Sequence, residues 1–481
     1  MLLNKDTTIL SEIKDFFTTS EKAMVTIFSV FGSLKISDKL FDKSDACNVK
    51  YKQVDKLSLM LLFPFFEIKD ASHFEGSALH KIVSCGKDVF YRLINNTTIN
   101  WRSIAYTLNL RLLKTTLAKS EQVENRIPTC LIVDDTDLPK TGHQIEFIGR
   151  IYNHVTKLSI WGFKGLVMAF HDGKSLFALD VSLHCEKGKN KKKPFGLTPT
   201  QSKERYSKKR DKKSASYKRT QECFISKIDS MISMIRLAIT KGIRFDYLLV
   251  DSWFTCFELV KFIKTRKVSC HFLGMIKMGI TKYSFNENTF SAKQIVEYSK
   301  RKKHLKRSRK LGYSYCEVTV DFQGIEVKLF FCKTSHKGKW HGLLTTNLEL
   351  SFEDAYKIYS TRWSIEVFFK ECKQHLGLGK CQSQDFDAQI AAITISMLQY
   401  NILSVAKRFS DYETLGVLFR SANAEIIELT IAERIWLIII EIIAELAELL
   451  DIDTEMLMEK IIADNQKFEK LLNYKNLMQA G

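Results

Sequence analysis

Two apolar runs in this chain end in carboxylates. Residues 127–137 read IPTCLIVDDTD and residues 245–254 read FDYLLVDSWF. The first run stops at Asp134 and Asp135, the second at Asp251. A carboxylate at the end of a buried strand needs a metal, a cation or a hydrogen-bonding turn to offset its lost hydration. A third acid has a different setting. At about 100° per residue, Tyr359, Arg362, Glu366 and Lys373 fall in one helical stripe roughly 60° wide. Three carboxylates from distant parts of a chain suit hard divalent cations such as magnesium, which take oxygen ligands and keep several waters. Two such ions about 3.5–4 Å apart can activate an oxygen nucleophile and stabilise a leaving oxygen at a phosphodiester. Arginine forks two phosphate oxygens, lysine acts as a point charge, and a phenol can donate one hydrogen bond. No zinc chemistry competes. His143, His154 and His171 fit no zinc spacing, and no Cys-x-x-Cys pair occurs.

A helix must carry the stripe. Residues 351–380 predict one continuous helix, opened by Ser351 with Asp354 three residues on and stopped by Gly377 and Gly379. Ile358, Ile365, Phe368, Phe369, Cys372 and Leu376 give it a buried face beside the polar stripe. The acid-ended runs predict buried strands. Side-chain alternation turns Asp134 and Asp135 to opposite faces, so one of the two serves a site. Residues 164–170 and 175–184 flank His171-Asp172-Gly173-Lys174 and predict a hairpin. With the strand ending at Asp134 and Asp135, they suggest three antiparallel strands opening an α/β domain. Residues 221–241 predict a helix and 270–278 a strand. Residues 313–321 and 325–332 continue in β-type runs, with a basic cluster at 300–310.

Helical spacing governs both ends of the chain. It occurs at residues 6–17, 20–31, 51–63 and 87–113, and again at 387–409 and 421–451. The expected organisation is a helical N-terminal module over 1–125 that grips DNA, an α/β domain over 126–405 with a β insertion at about 279–345, and an acidic helical region over 406–481 suited to dimerisation.

The 481 residues carry a net charge of +19 with pI near 9.3, which points to a polyanionic partner, nucleic acid before membrane. Residues 421–481 hold 12 acids and 5 bases, so the basic surface belongs to the rest of the chain. Residues 187–219 hold fourteen Lys or Arg and two acids, and predict a solvated loop or arm that contacts phosphates. The early charges and missing apolar core of the N-terminus do not read as a signal peptide. The eleven scattered cysteines suit a reducing cytoplasm.

The spacing Tyr359, Arg362, Glu366, Lys373 resembles the Tyr-Arg-Glu-Lys signature of bacterial cut-and-paste insertion-sequence transposases, the insertion-sequence-four family of DDE transposases. The resemblance covers roughly residues 128–405. It implies an RNase-H-like α/β core interrupted by a β-rich insertion, with helical N-terminal and C-terminal regions. It implies two magnesium ions, with manganese as a substitute, held by Asp135, Asp251 and Glu366. Asp135 is chosen because the family's first aspartate precedes a threonine. It assigns Tyr359, Arg362 and Lys373 to DNA phosphates, and Trp340 to stacking on a flipped base. It further implies double-stranded DNA ends and target DNA as partners, a hairpin intermediate, a homodimer acting on paired ends, and a bacterial, cytoplasmic, nucleoid-associated setting. Three rivals stand beside it: a metal-dependent nuclease or resolvase of the same fold without strand transfer, a non-catalytic DNA-binding protein, and a membrane-surface protein, which the lack of a basic amphipathic helix disfavours.

Overall fold

A computed structural model describes residues 23–41, 49–119, 127–265, 270–335 and 337–427. The expected helix at 6–17 lies outside these residues, as does most of the one at 421–451 with its assigned dimer contact. The chain divides into two compact units. The smaller comprises residues 1–32, 50–91 and 406–481, and the larger 33–49 and 92–405. In the smaller unit the helices are apolar and buried, as at Gln53–Leu62, where Leu57 through Leu62 are all covered.

The larger unit is mixed α/β, built on one twelve-stranded sheet. Its first strands are β1 (Cys130–Pro139), β2 (Gly149–Asn153), β3 (Leu158–His171) and β4 (Leu176–His184). β3 runs antiparallel to β1 on one edge and to β2 and β4 on the other. The turn between β3 and β4 falls at Asp172-Gly173, where Gly173 takes φ +97°. β5 (Tyr247–Val250) and β6 (His271–Ile276) then add parallel to β1. Every residue of Cys130–Val133 and Tyr247–Val250 is buried, which is why these runs lack polar alternation.

The β-rich stretch expected at about 279–345 continues the same sheet. It contains β7 (Lys282–Phe285), β8 (Asn288–Ser291), β9 (Lys306–Ser308), β10 (Tyr313–Phe322), β11 (Ile325–Lys333) and β12 (His341–Thr345). β12 closes back antiparallel onto β6, so the strand order runs β1-β5-β6-β12-β11-β10 without a gap.

Three expectations need correction. Residues 87–113 are not one helix. They form Asp88–Ile94 and Trp101–Lys119, separated where Asn96 Oδ1 accepts the Thr98 amide and Asn100 Oδ1 accepts that of Ser103. The second helix packs on β4, with Asn109 donating to the Ala178 carbonyl.

The stripe helix is also two helices, Phe352–Ser360 and Trp363–His375. At the joint, the Ser360, Thr361 and Ser364 hydroxyls donate to the carbonyls of Lys357, Ile358 and Thr361, and the backbone tightens to i→i+3 bonds at Ser364 and Ile365. Arg362 therefore sits at a joint rather than mid-helix.

The basic segment 187–219 is only partly a solvated arm. Lys187, Lys189 and Lys191 to Lys193 are exposed. Further on, Arg205 donates to the Ile148 carbonyl and Lys208 pairs with Asp385 at 2.6 Å. Arg210 forks Glu146 at 2.7 and 2.6 Å and reaches Asp387, with the side chains of all three largely covered. Arg219 is buried against Glu222 and the Val181 carbonyl. These cations tie the segment down. Arg210→Ala would leave Glu146 buried without its cation and Asp387 with Lys208 alone, at 3.7 Å, at a cost of about 3–5 kcal/mol. A urea titration should show a markedly lower midpoint. A midpoint unchanged from wild type would mean that the fork contributes nothing.

The helix Phe386–Arg408 has the length and apolarity of a bilayer span, but its side chains are buried in the protein and Asn401 bonds Asn109. Among the described residues every cysteine is a free thiol.

Candidate active site

Strand register brings the first two acids together. Val133 lies beside Val250 in the parallel pair of β1 and β5. The next residues, Asp134 still within β1 and Asp251 just beyond β5, thus stand side by side at a strand spacing of about 4.8 Å, on a common face. Asp251 Oδ1 accepts the Trp253 amide at 2.8 Å and the Phe254 amide at 3.2 Å, which turns the chain and anchors that carboxylate.

Glu366 joins them through Arg362. The guanidinium donates from Nη1 to Asp134 Oδ2 at 2.9 Å and from Nη2 to Glu366. One planar fork thus holds two carboxylates from a strand and a helix. Burial pushes the Asp134 carboxyl up to about 7, and neighbouring Asp251 pushes the same way while Arg362 opposes. Two half-buried carboxylates on adjacent strands need a proton or a cation to offset their repulsion.

The other stripe residues fall on the same strands. Lys373 donates to Thr136 Oγ1 at 2.7 Å, two residues beyond Asp134 on the same face of β1. Burial lowers its ammonium below the ordinary lysine range. Tyr359 is buried, and its hydroxyl donates to the Val250 carbonyl at 3.3 Å. The phenol braces the first helix against the end of β5, and its proton is engaged there rather than offered to a phosphate. Beside Lys373 opens a cavity of about 430 Å³, lined among others by Asp137, Lys140, Gln144 and Gln382. Lys140 secures one wall by donating to the Gly379 and Cys381 carbonyls.

Asp135 is not brought to this cluster. Alternation turns it to the opposite face, where it pairs with Lys227 at 2.6 Å, and Lys227 also approaches Glu186. Of the two adjacent acids it is thus Asp134, and not the expected Asp135, that the fold places beside Asp251 and against Arg362. Trp340 lies between β11 and β12, with the Lys333 and Lys300 ammonium groups 5.1 and 5.8 Å from its ring centre. Its ring thus faces two lysines of the β-rich stretch.

Sequence reasoning passed over Trp253. It stands two residues beyond Asp251, is 60% exposed, and has Lys277 and Lys227 4.7 and 5.4 Å from its ring. An aromatic just after the strand-end acid, in DSWF, was the available signal.

Among the described residues no three His, Cys, Asp or Glu side chains form a preassembled metal cage. The donor set nevertheless fits a hard divalent ion. It consists of carboxylates only, and the place for positive charge between Asp134 and Glu366 is filled by a guanidinium on a flexible side chain.

Comparison with known proteins adds the family. Similar solved structures include the cryo-EM structure of a piggyBac transposase synaptic complex with hairpin DNA, at 12% identity over 90% of this chain and 83% of that chain, with a TM-score of 0.41. They also include the crystal structure of the NurA nuclease from Sulfolobus solfataricus, at 9% identity over 50% of this chain and 74% of that chain, with a TM-score of 0.23. Neither likeness is close enough to transfer a property. No curated protein matches the sequence. The family model described as a transposase DDE domain matches residues 125–402, which include Asp134, Asp251, Glu366 and the whole insertion. With more than half of its length inside that match, the chain belongs to the transposase DDE domain family.

Proposed function

We propose that the protein is a cut-and-paste DNA transposase of the insertion-sequence-four type, which cleaves the ends of its element and joins the freed 3′ hydroxyls to target DNA. One observation carries this reading: Arg362 bridges Asp134 and Glu366 beside Asp251, in a chain with the Tyr359, Arg362, Glu366, Lys373 spacing. An RNase-H-like core is supported by β1 lying between antiparallel β3 and parallel β5, with β4 and β6 outside them.

Asp134, Asp251 and Glu366 would hold divalent cations, magnesium first and manganese as a substitute. Bound there, such ions activate the attacking oxygen and neutralise charge on the phosphate and leaving oxygen. The chain's own groups do the rest. Arg362 leaves its carboxylates and forks non-bridging oxygens of the DNA backbone, as guanidinium geometry favours. Lys373 supplies a point charge at the edge of the neighbouring cavity. Tyr359 keeps the helix joint fixed to the end of β5, which sets where Arg362 pivots. Paired ends, a hairpin intermediate and a dimer belong to the same proposal.

The test uses duplexes carrying the element's own ends, a target plasmid and magnesium. Cleaved ends followed by plasmid joining are expected, with both lost in Glu366→Gln and both absent under chelator. Cleavage without joining would favour the nuclease reading. Binding with no cleavage, unchanged by Glu366→Gln, would favour a non-catalytic DNA-binding protein.

A further inference from the structure

The insertion carries a cationic surface that the carboxylate site does not use. Residues 300–310 hold eight Lys or Arg and no acid. They run from the end of the helix Ala292–Arg301 through β9 to the turn before β10. This stretch is held in place. The helix buries Ala292, Ile295, Val296 and Ser299, and β9 pairs with β10 from Lys306–Tyr315 to Ser308–Tyr313. Two of its lysines are neutralised, Lys300 by Glu297 and Lys306 by Glu317, each at 2.6 Å. Among the described residues, Lys302, Lys303, Arg307, Arg309 and Lys310 meet no carboxylate, and all five are exposed.

The contrast with residues 187–219 is decisive. There, cations of comparable density are partly drawn inside and paired with Glu146, Glu222 and Asp385. Here they are ordered, outward and uncompensated. Like charges fixed together raise the energy of the folded state unless a polyanion meets them. We propose that this face of the insertion grips the phosphates of duplex DNA without regard to sequence, at a site separate from the carboxylates. The proposal rests on the reading that the protein handles DNA.

Phosphates suit these groups better than bases. The side chains stand on a helix end, a three-residue strand and a turn, with no helix or ribbon projecting to enter a groove. A membrane surface suits them less. The apolar face of the helix is buried in the fold, and an interfacial helix needs that face free.

The full-length protein, without divalent ions, is titrated with two unrelated duplexes over a range of salt. Lys302→Gln with Arg307→Gln and Lys310→Gln should weaken both duplexes equally, about tenfold or more. The slope of log K against log salt should become shallower by about 3, near one unit for each lost phosphate contact. The charge-conserving set Lys302→Arg, Arg307→Lys and Lys310→Arg should bind like wild type.

An unchanged slope in the glutamine variant overturns the proposal, as does a loss confined to one duplex or an equal loss in the charge-conserving set. Phosphatidylserine vesicles bound as tightly as duplex, and released by the same substitutions, would assign the surface to membrane instead. Wild-type protein that binds neither duplex overturns this proposal and the DNA reading together. Wild-type binding with an unaffected glutamine variant overturns this one alone.

Discussion

Asp134→Asn lowers metal-dependent strand cleavage by at least about 10³-fold, while Asp135→Asn leaves it within about tenfold. That is the expected result, measured on a labelled end duplex under saturating magnesium. A divalent ion at a reacting phosphate supplies several kcal/mol of charge stabilisation, and each 1.4 kcal/mol is about tenfold in rate. An amide at Asp134 keeps the shape but removes the charge that holds the ion beside Asp251. At Asp135 the same change only releases Lys227, a partly exposed ion pair whose loss costs on the order of 1 kcal/mol or less. Two adjacent, chemically identical residues should therefore differ by about a hundredfold or more. If Asp135→Asn proved the more damaging, the assignment of the site to this face of β1 would be wrong.

Arg362→Ala pulls two measurements in opposite directions. Manganese binding to the DNA-free protein, followed by calorimetry, should tighten about tenfold. Cleavage should fall by at least about 10²-fold. The guanidinium at 2.9 Å from Asp134 neutralises charge that a metal ion would otherwise meet in full. Unit charges about 4 Å apart interact by roughly 4 kcal/mol at an effective dielectric of 20, and partial solvent exposure reduces that to the tenfold figure. The loss of cleavage follows from losing the phosphate fork. Arg362→Lys should recover part of the charge but little of the fork. Weaker manganese binding in Arg362→Ala would show that the arginine organises the carboxylates rather than occupying their place.

The choice between Asp134 and Asp135 was legible in the sequence, but not from the Asp-Thr step. The segments CLIVD and YLLVD have equal length, and laid side by side as parallel strands they match Asp134 with Asp251. Apolar runs and the Asp-Gly turn located β1, β3, β4, β5 and β6, because buried strands and tight turns are governed by local composition. The helix joint at residues 360–364 escaped because hydroxyl side chains compete for carbonyls without disturbing the apolar period that a helix prediction reads. The fate of residues 187–219 was illegible for another reason. Their partners Glu146, Asp385 and Asp387 lie far along the chain, and charge density alone does not tell a paired cation from a free one. Trp340 was assigned only as the tryptophan nearest the place where the family carries one, slightly off its register, and only tertiary structure reveals that its ring lies with Lys300 and Lys333.

The closure of β12 onto β6 makes the insertion an extension of the catalytic sheet rather than a hinged flap. From β5, which Asp251 directly follows, to β10, which holds β9, there are four inter-strand steps through β6, β12 and β11. At about 4.8 Å each they span roughly 19 Å, comparable to five or six base-pair rises of 3.4 Å. A duplex gripped on the outer strands would have its backbone gauged against the acids proposed to hold metal by the hydrogen-bonded width of the sheet. The cut would then fall at a fixed count of nucleotides from the grip, whatever the bases between.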